Sequence, residues 1–196
     1  IEGDMECHGR NIWCRRTITS QKRPSGGKPG KLAGQIRKDP MMHDMGAEEI
    51  IKTLRLDRHP EGGWYRQTWI EDTAATGAQG ETEAQTDAPR PSGTCIYFLL
   101  RAGEASHWHR VDATEIWLYH AGAPLILSLS ATDSGPAVDH LLSPDLRHGR
   151  PQLIVPKDHW QAARSTGDWT LVSCTVSPGF DFSGFELAPD SFDIPR

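Results

Sequence analysis

The chain contains no apolar run near the roughly 18 residues that a membrane-crossing helix needs. Its longest runs, CIYFLL at 95–100 and APLILSL at 123–129, have the length of β-strands. Cysteine is scarce: the four residues, at positions 7, 14, 95 and 174, are too few and too scattered for a disulfide framework or a zinc knuckle. Cys95 and Cys174 fall inside apolar strand-like runs and are read as reduced core residues. No charged segment followed by an apolar run opens the sequence, so a secretory signal is not indicated and a cytoplasmic location is expected. Positive charge is sparse beyond residue 40, where twelve Lys and Arg face twenty-two Asp and Glu; residues 1–40 hold nine against four. Phosphate binding wants a basic face, so the body is expected to bind neither nucleic acid nor membrane. The basic first segment is read as a solvated tail.

What is present divides along the chain. Residues 1–40 show no period and are rich in Gly, Pro, Lys and Arg; they are expected to be a disordered or extension segment. The pair Met41-Met42 is read as a natural start, with residues 41–196 as a single domain. GAEEIIKTLRL at 46–56 places Ile50, Ile51 and Leu54 at helical spacing, with Glu48 and Glu49 at the end the dipole favours. After the turn HPEGG, the alternation of WYRQTWI predicts a strand. Residues 71–93, small, polar and acidic, read as a long mobile loop. A series of short apolar runs separated by turn residues follows: TCIYFLL, SHWHRV, EIWLYHA, PLILSL, AVDHLL, PQLIV, WQAA and TLVSCTV. With no helices between them, they predict an all-β sandwich or barrel.

One stretch concentrates ligand-type side chains, GEASHWHRVDATEIWLYHAG at 103–122. Regular alternation in a strand would point His107 and His109 to one face and Trp108 to the other. Glu115 starts the next strand and would bring a carboxylate beside the two rings, a two-histidine, one-carboxylate set that leaves coordination positions open. The plainer reading is that both histidines hydrogen-bond at a barrel mouth. His120, expected on the face opposite Glu115, and His140 are left aside.

These residues reach a known family. The same stretch resembles the first motif of the cupin superfamily, a Gly, HxH, then Glu, with Gly122 closing it. GRPQLIVPKDHWQAA at 149–163 resembles the second. HPEGGWYRQTW, IYFLL, PQLIVP, WQAA and CTVSPGFDFSGFELA resemble, more narrowly, a group of small single-domain cupins of unassigned function, over roughly residues 47–190. The resemblance implies an RmlC-like cupin jelly-roll barrel with a short N-terminal helix, a homodimer, and a small-molecule ligand in the barrel. It also implies a divalent metal (Fe, Mn, Ni or Zn) held by His107, His109, Glu115 and the second-motif position, here Gln161. Two departures stand out. Five residues separate His109 from Glu115, one more than usual, and Asp158 occupies the turn position usually taken by glycine. Glutamine is also a poorer ligand for transition metals than imidazole.

Three functions are weighed. The first is a metal-dependent enzyme acting on a small polar molecule. The second is a metal-free isomerase resembling the sugar-nucleotide epimerases, with His107 or His109 as base and Tyr65 or Tyr119 as acid; no acidic partner to orient the histidine is evident. The third is a ligand-binding module without turnover. Arg66, Arg110, Trp108, Trp117 and Gln152 are candidate ligand contacts on strands that could line the barrel. The two arginines, if inward, would need Glu61, Glu115 or an anionic ligand as partner, and otherwise reach water at strand ends. Packing is the plainer role for the tryptophans and tyrosines.

Overall fold

The computed structural model describes residues 42–71 and 90–196. The expectations for residues 1–40, for Cys7 and Cys14, and for most of the 71–93 loop lie outside the described residues.

Ala47–Leu54 form the helix α1, with Glu48 and Glu49 in its first turn and Ile50 and Ile51 buried. Arg55 ends it in the left-handed region at φ 54°, and its N–H donates to Lys52 O. The strands follow in chain order: β1 (Asp57–Arg58), β2 (Trp64–Ile70), β3 (Thr94–Arg101), β4 (Ala105–Val111), β5 (Thr114–Gly122) and β6 (Leu125–Ser130). β7 (Val138–Leu142), β8 (Gln152–Val155), β9 (Trp160–Ser165), β10 (Trp169–Ser177) and β11 (Phe185–Leu187) complete the set. Each apolar run singled out in the sequence is a strand; β1 and β11 are too short to announce themselves by period.

The strands form a six-stranded antiparallel sheet, β1-β2-β3-β10-β5-β8, and a five-stranded one, β11-β4-β9-β6-β7, the jelly-roll arrangement. Phe98, Leu100, Trp117, Val155, Val172 and Cys174 from the first sheet meet Leu125, Leu127, Leu142 and Ala163 from the second in a buried core. Leu99 and Leu171 belong to the outer face of the larger sheet, where α1 covers them with Ile50 and Ile51. Strand β3 is therefore apolar on both faces, which is why its sequence is a continuous run rather than an alternation.

Two turns aim side chains at the interior. In HPEGG, Gly62 and Gly63 take φ of 107° and 73°, and a Cβ on Gly62 would sit 2.2 Å from Ala105 O. His59 N–H donates to Gly63 O, Gly62 N–H to His59 O and His107 N–H to Glu61 O. This binds the turn to the start of β4 and sends Glu61 inward. Asp158, at the position where the resemblance has glycine, adopts φ 64°, a conformation that aspartate tolerates better than most residues.

Gly62→Ala combines a positive φ with a steric overlap on backbone. We expect it to cost about 1–3 kcal/mol of stability in urea unfolding; an unchanged unfolding midpoint would contradict this account of the turn.

Candidate functional site

The HxH pair does not share a face. β4 pairs with β9 at Ser106↔Ala163 and next at His109↔Gln161, so three steps on β4 match two on β9. That is a β-bulge, and it resets the alternation. Ser106, His109 and Val111 are buried on the inner side. His107 turns outward, its Nε2 2.9 Å from Pro189 O. Trp108 also packs outside, with Ala137, Trp160, Ala188 and Ile194, and its Nε1 donates to Asp193. The expectation that His107 faces the pocket is thus corrected: regular period-2 geometry fails where one extra residue is inserted.

A cavity of about 340 Å³ opens inside the barrel, with His59, Glu61, His109, Glu115 and Cys174 at its polar end. Tyr65, Phe98, Phe180, Phe182 and Phe185 supply much of its wall. Glu61 is 8% exposed and His109 2%. One carboxyl oxygen of Glu61, Oε2, lies 3.4 Å from His59 Nδ1 and 3.3 Å from His109 Nε2. The other, Oε1, accepts from Ser106 Oγ at 2.8 Å. His109 Nδ1 lies 2.8 Å from His107 O. A carbonyl only accepts, so Nδ1 carries the proton and, in the neutral ring, Nε2 is a bare lone pair facing Glu61. His59 Nδ1 accepts the Glu61 backbone N–H at 3.4 Å, which takes its one ring lone pair. The bare Nε2 of His109 is thus the acceptor open to Glu61, and a protonated Glu61 would donate to it.

The electrostatics agree with this. Burial pushes the Glu61 carboxyl above its ordinary range, outweighing the lowering influence of His59 and Ser106. Burial also lowers the His59 and His109 imidazoles, against the pull of Glu61 on the first and Glu115 on the second. Glu115 is raised, again chiefly by burial, and the Cys174 thiol is pushed up by burial and then by the neighbouring carboxylates. Each group is thereby biased toward its neutral form.

Glu115 is held from behind. Trp117 Nε1 donates to Gln161 Oε1 at 3.0 Å, and Gln161 Nε2 donates to Glu115 Oε2 at 2.6 Å. Gln161 therefore orients the Glu115 carboxyl group, and its carbonyl oxygen, the atom that would ligate a metal, is occupied by an indole. The metal set implied by the resemblance does not fit: His107 points out, Gln161 is engaged, and only His109 and Glu115 meet at the cavity. Among the described residues, no group of three or more His, Cys, Asp or Glu is placed to hold a metal ion.

The remaining expected contacts separate clearly. Tyr65 and Gln67 line the cavity, and Trp117 is buried beside it. Tyr119 packs against the core, but its hydroxyl donates to Gly122 O, so it is no candidate acid. Arg66 donates to Leu54 O. Arg110 pairs with Glu186 and lies over the Trp160 ring. Both arginines are thus outside the cavity, satisfied by protein groups. Gln152 is exposed on β8. His120 lies on the outer face as expected, its Nε2 bonded to Ser173 Oγ.

Sequence reasoning missed His59 as a site residue and took Glu61 only as a partner for arginine. The signal was there: a His and a Glu two apart, followed by two glycines that force the chain back on itself.

Two measurements check this geometry. Long-range ¹⁵N–¹H NMR at pH 6.5 should find His109 protonated on Nδ1 alone, since its value is held below the ordinary 6.5; a doubly protonated ring at that pH would contradict it. Its neutral form contributes stability above pH 6.5 that is lost as the pH falls, whereas raised Glu61 and Glu115 contribute below the ordinary 4.5 and lose that contribution as pH rises. Gln161→Leu removes the amide donor of Glu115 and the acceptor of the Trp117 indole and should cost about 2–5 kcal/mol in urea unfolding; a loss under about 0.5 kcal/mol would show that the relay holds nothing.

Residues 48–188 match the family described as Cupin superfamily (DUF985). The chain is similar to the crystal structure of protein SO0799 from Shewanella oneidensis, with 39% identity over 74% of this chain and 85% of that one and a TM-score of 0.64. It is also similar to a hypothetical protein from Leishmania major, with 30% identity over 76% of this chain and 90% of that one and a TM-score of 0.62. No curated protein matches the chain. The two motifs read in the sequence, the two-sheet jelly roll and these likenesses lead to one conclusion: the chain belongs to the cupin superfamily, in the DUF985 family.

Proposed function

We propose that this small-molecule-binding cupin is an enzyme that transfers protons on a small neutral carbonyl compound, using its own side chains rather than a resident metal. The observation that carries the reading is Glu61 Oε2 set between two imidazole nitrogens, at 3.4 and 3.3 Å. The neutral carboxyl is an acid able to donate to a carbonyl oxygen, and an imidazole of the pair is a base able to take a proton from the adjacent carbon. The imidazolium then returns its proton to carbon, on the other face or, in an α-hydroxy carbonyl compound, at the other carbon of the enediol, while a hydroxyl proton of the substrate returns to Glu61; this completes an isomerisation with no net change in the protein. Glu61 fills the place of the acidic partner that the sequence did not reveal, and Tyr119 gives up the acid role assigned to it.

The charge of the cavity bears on the substrate. Among the described residues lining it there is no lysine or arginine, so a phosphate or carboxylate would enter without a counter-charge. A sugar nucleotide is therefore disfavoured as substrate. The divalent-metal reading keeps only His109 and Glu115 of its four ligands, and it is tested together with the other.

Elemental mass spectrometry on protein purified without chelator or nickel resin should find far less than one metal ion per chain; near-stoichiometric metal, lost in His109→Ala, would overturn the metal-free reading. In D₂O the wild type should exchange α-protons of neutral ketones into solvent. Glu61→Gln and His109→Gln should each slow that exchange by about 10²–10⁴-fold, and equal rates in wild type and variants would remove both residues from the chemistry.

A further inference from the structure

The cavity is graded from end to end. At one end Glu61, His109, Glu115 and Cys174 are 8%, 2%, 6% and 2% exposed. At the other, two large apolar residues that also line it, Ile70 and Phe182, are 55% and 61% exposed. Between them stand Phe180 and Phe185, with Phe180 edge-on to Phe182 at 5.0 Å and Phe185 tilted against the His109 ring at 5.5 Å. Those acid–base groups are thus deep, and among the described residues the way out is walled mostly by rings and aliphatic side chains, with Gln67, Thr94 and Asp181 also lining the cavity. Among the described residues Asp181 is the one acidic residue in the outer part. Its carboxylate is turned to the Ser183 backbone N–H at 2.7 Å.

We infer that the ligand is an uncharged amphiphile whose polar carbonyl end lies at Glu61 and His109 and whose apolar tail runs outward past Phe180 and Phe185 to contact Ile70 and Phe182. The identity of the polar end rests on the proton-transfer reading above; the tail rests on the cavity walls alone. Large apolar side chains exposed together beside a cavity mark a surface that gains by being covered, and here they continue an apolar wall that begins at the buried end. The size is bounded as well. At about 30 Å³ per water-sized group in liquid, a cavity of about 340 Å³ takes about eleven non-hydrogen atoms, the size of a ten-carbon ketone. A charged head is excluded on the same grounds as the phosphate: among the described residues no cationic side chain lines the cavity, and the nearby Arg90 is engaged by Asp112 and Gly179 O.

The test is a homologous series, the straight-chain 2-alkanones from four to twelve carbons beside carboxylates of equal length, with binding measured by ligand-observed NMR on the full chain. Each added CH₂ should tighten binding about fourfold up to about ten carbons and little beyond, and each carboxylate should bind at least about tenfold more weakly than its ketone. Phe182→Ala and Ile70→Ser, both at exposed positions, should weaken the long ketones and leave the four-carbon one unchanged. Affinity independent of chain length, or carboxylates binding as tightly as ketones, would overturn the inference. So would variants that weaken every member equally. Binding is read without turnover, so loss of the deuterium exchange with an intact length dependence would sink the proton-transfer reading alone, and the reverse pattern would sink the tail alone.

Discussion

The buried carboxyl of Glu61 is the constraint around which this barrel is arranged. An ionised carboxylate that deep would cost several kcal/mol without a cation to pair it, and no arginine or lysine is among the described residues lining the cavity. The structure meets the cost by other means: a serine hydroxyl donates to one oxygen, the bare nitrogen of His109 faces the other, and burial biases the acid toward its protonated form. Everything that delivers those partners then becomes obligatory. The two glycines of the 59–63 turn place the acid, the bulge in β4 brings Ser106 and His109 to the same side, and the His107 carbonyl fixes which nitrogen of His109 is bare.

Glu115 repeats the theme with different groups. Its partner is an amide, itself oriented by the indole of a core tryptophan. Trp117 therefore belongs to the packing of the two sheets and to the orientation of a site carboxyl at once. The core and the pocket are not separate regions of a small barrel; the same inward faces make both.

How much of this the sequence disclosed follows from how local each determinant is. Helix α1 and strands β2 to β10 were legible because apolar spacing and turn residues are short-range signals, and the family resemblance supplied the jelly roll that connects them. His109 and Glu115 were legible as site residues because a single strand and its neighbour present them. His107 was misread because alternation assumes a regular ladder, and a bulge depends on the distant partner strand β9. The side taken by Arg66 and Arg110 stayed open in the sequence for a related reason: their partners, Leu54 O and Glu186, come from α1 and β11, which no period connects to their strands. His59 and Glu61 went unrecognised as a pair because their role depends on a turn conformation rather than on a strand pattern.

The bulge separates motif from geometry. In β4 a single step of register decides whether the barrel interior receives one histidine from the HxH segment or two, because in an unbulged ladder residues 107 and 109 would share a face. Its outward position ties it to Pro189, and with Trp108 it anchors the chain's last segment against the outside of the sheet. The same HxH spelling is therefore compatible with a two-histidine barrel floor and with this acid-centred one, according to the register of one strand. Motif spelling alone does not distinguish the two; strand register does.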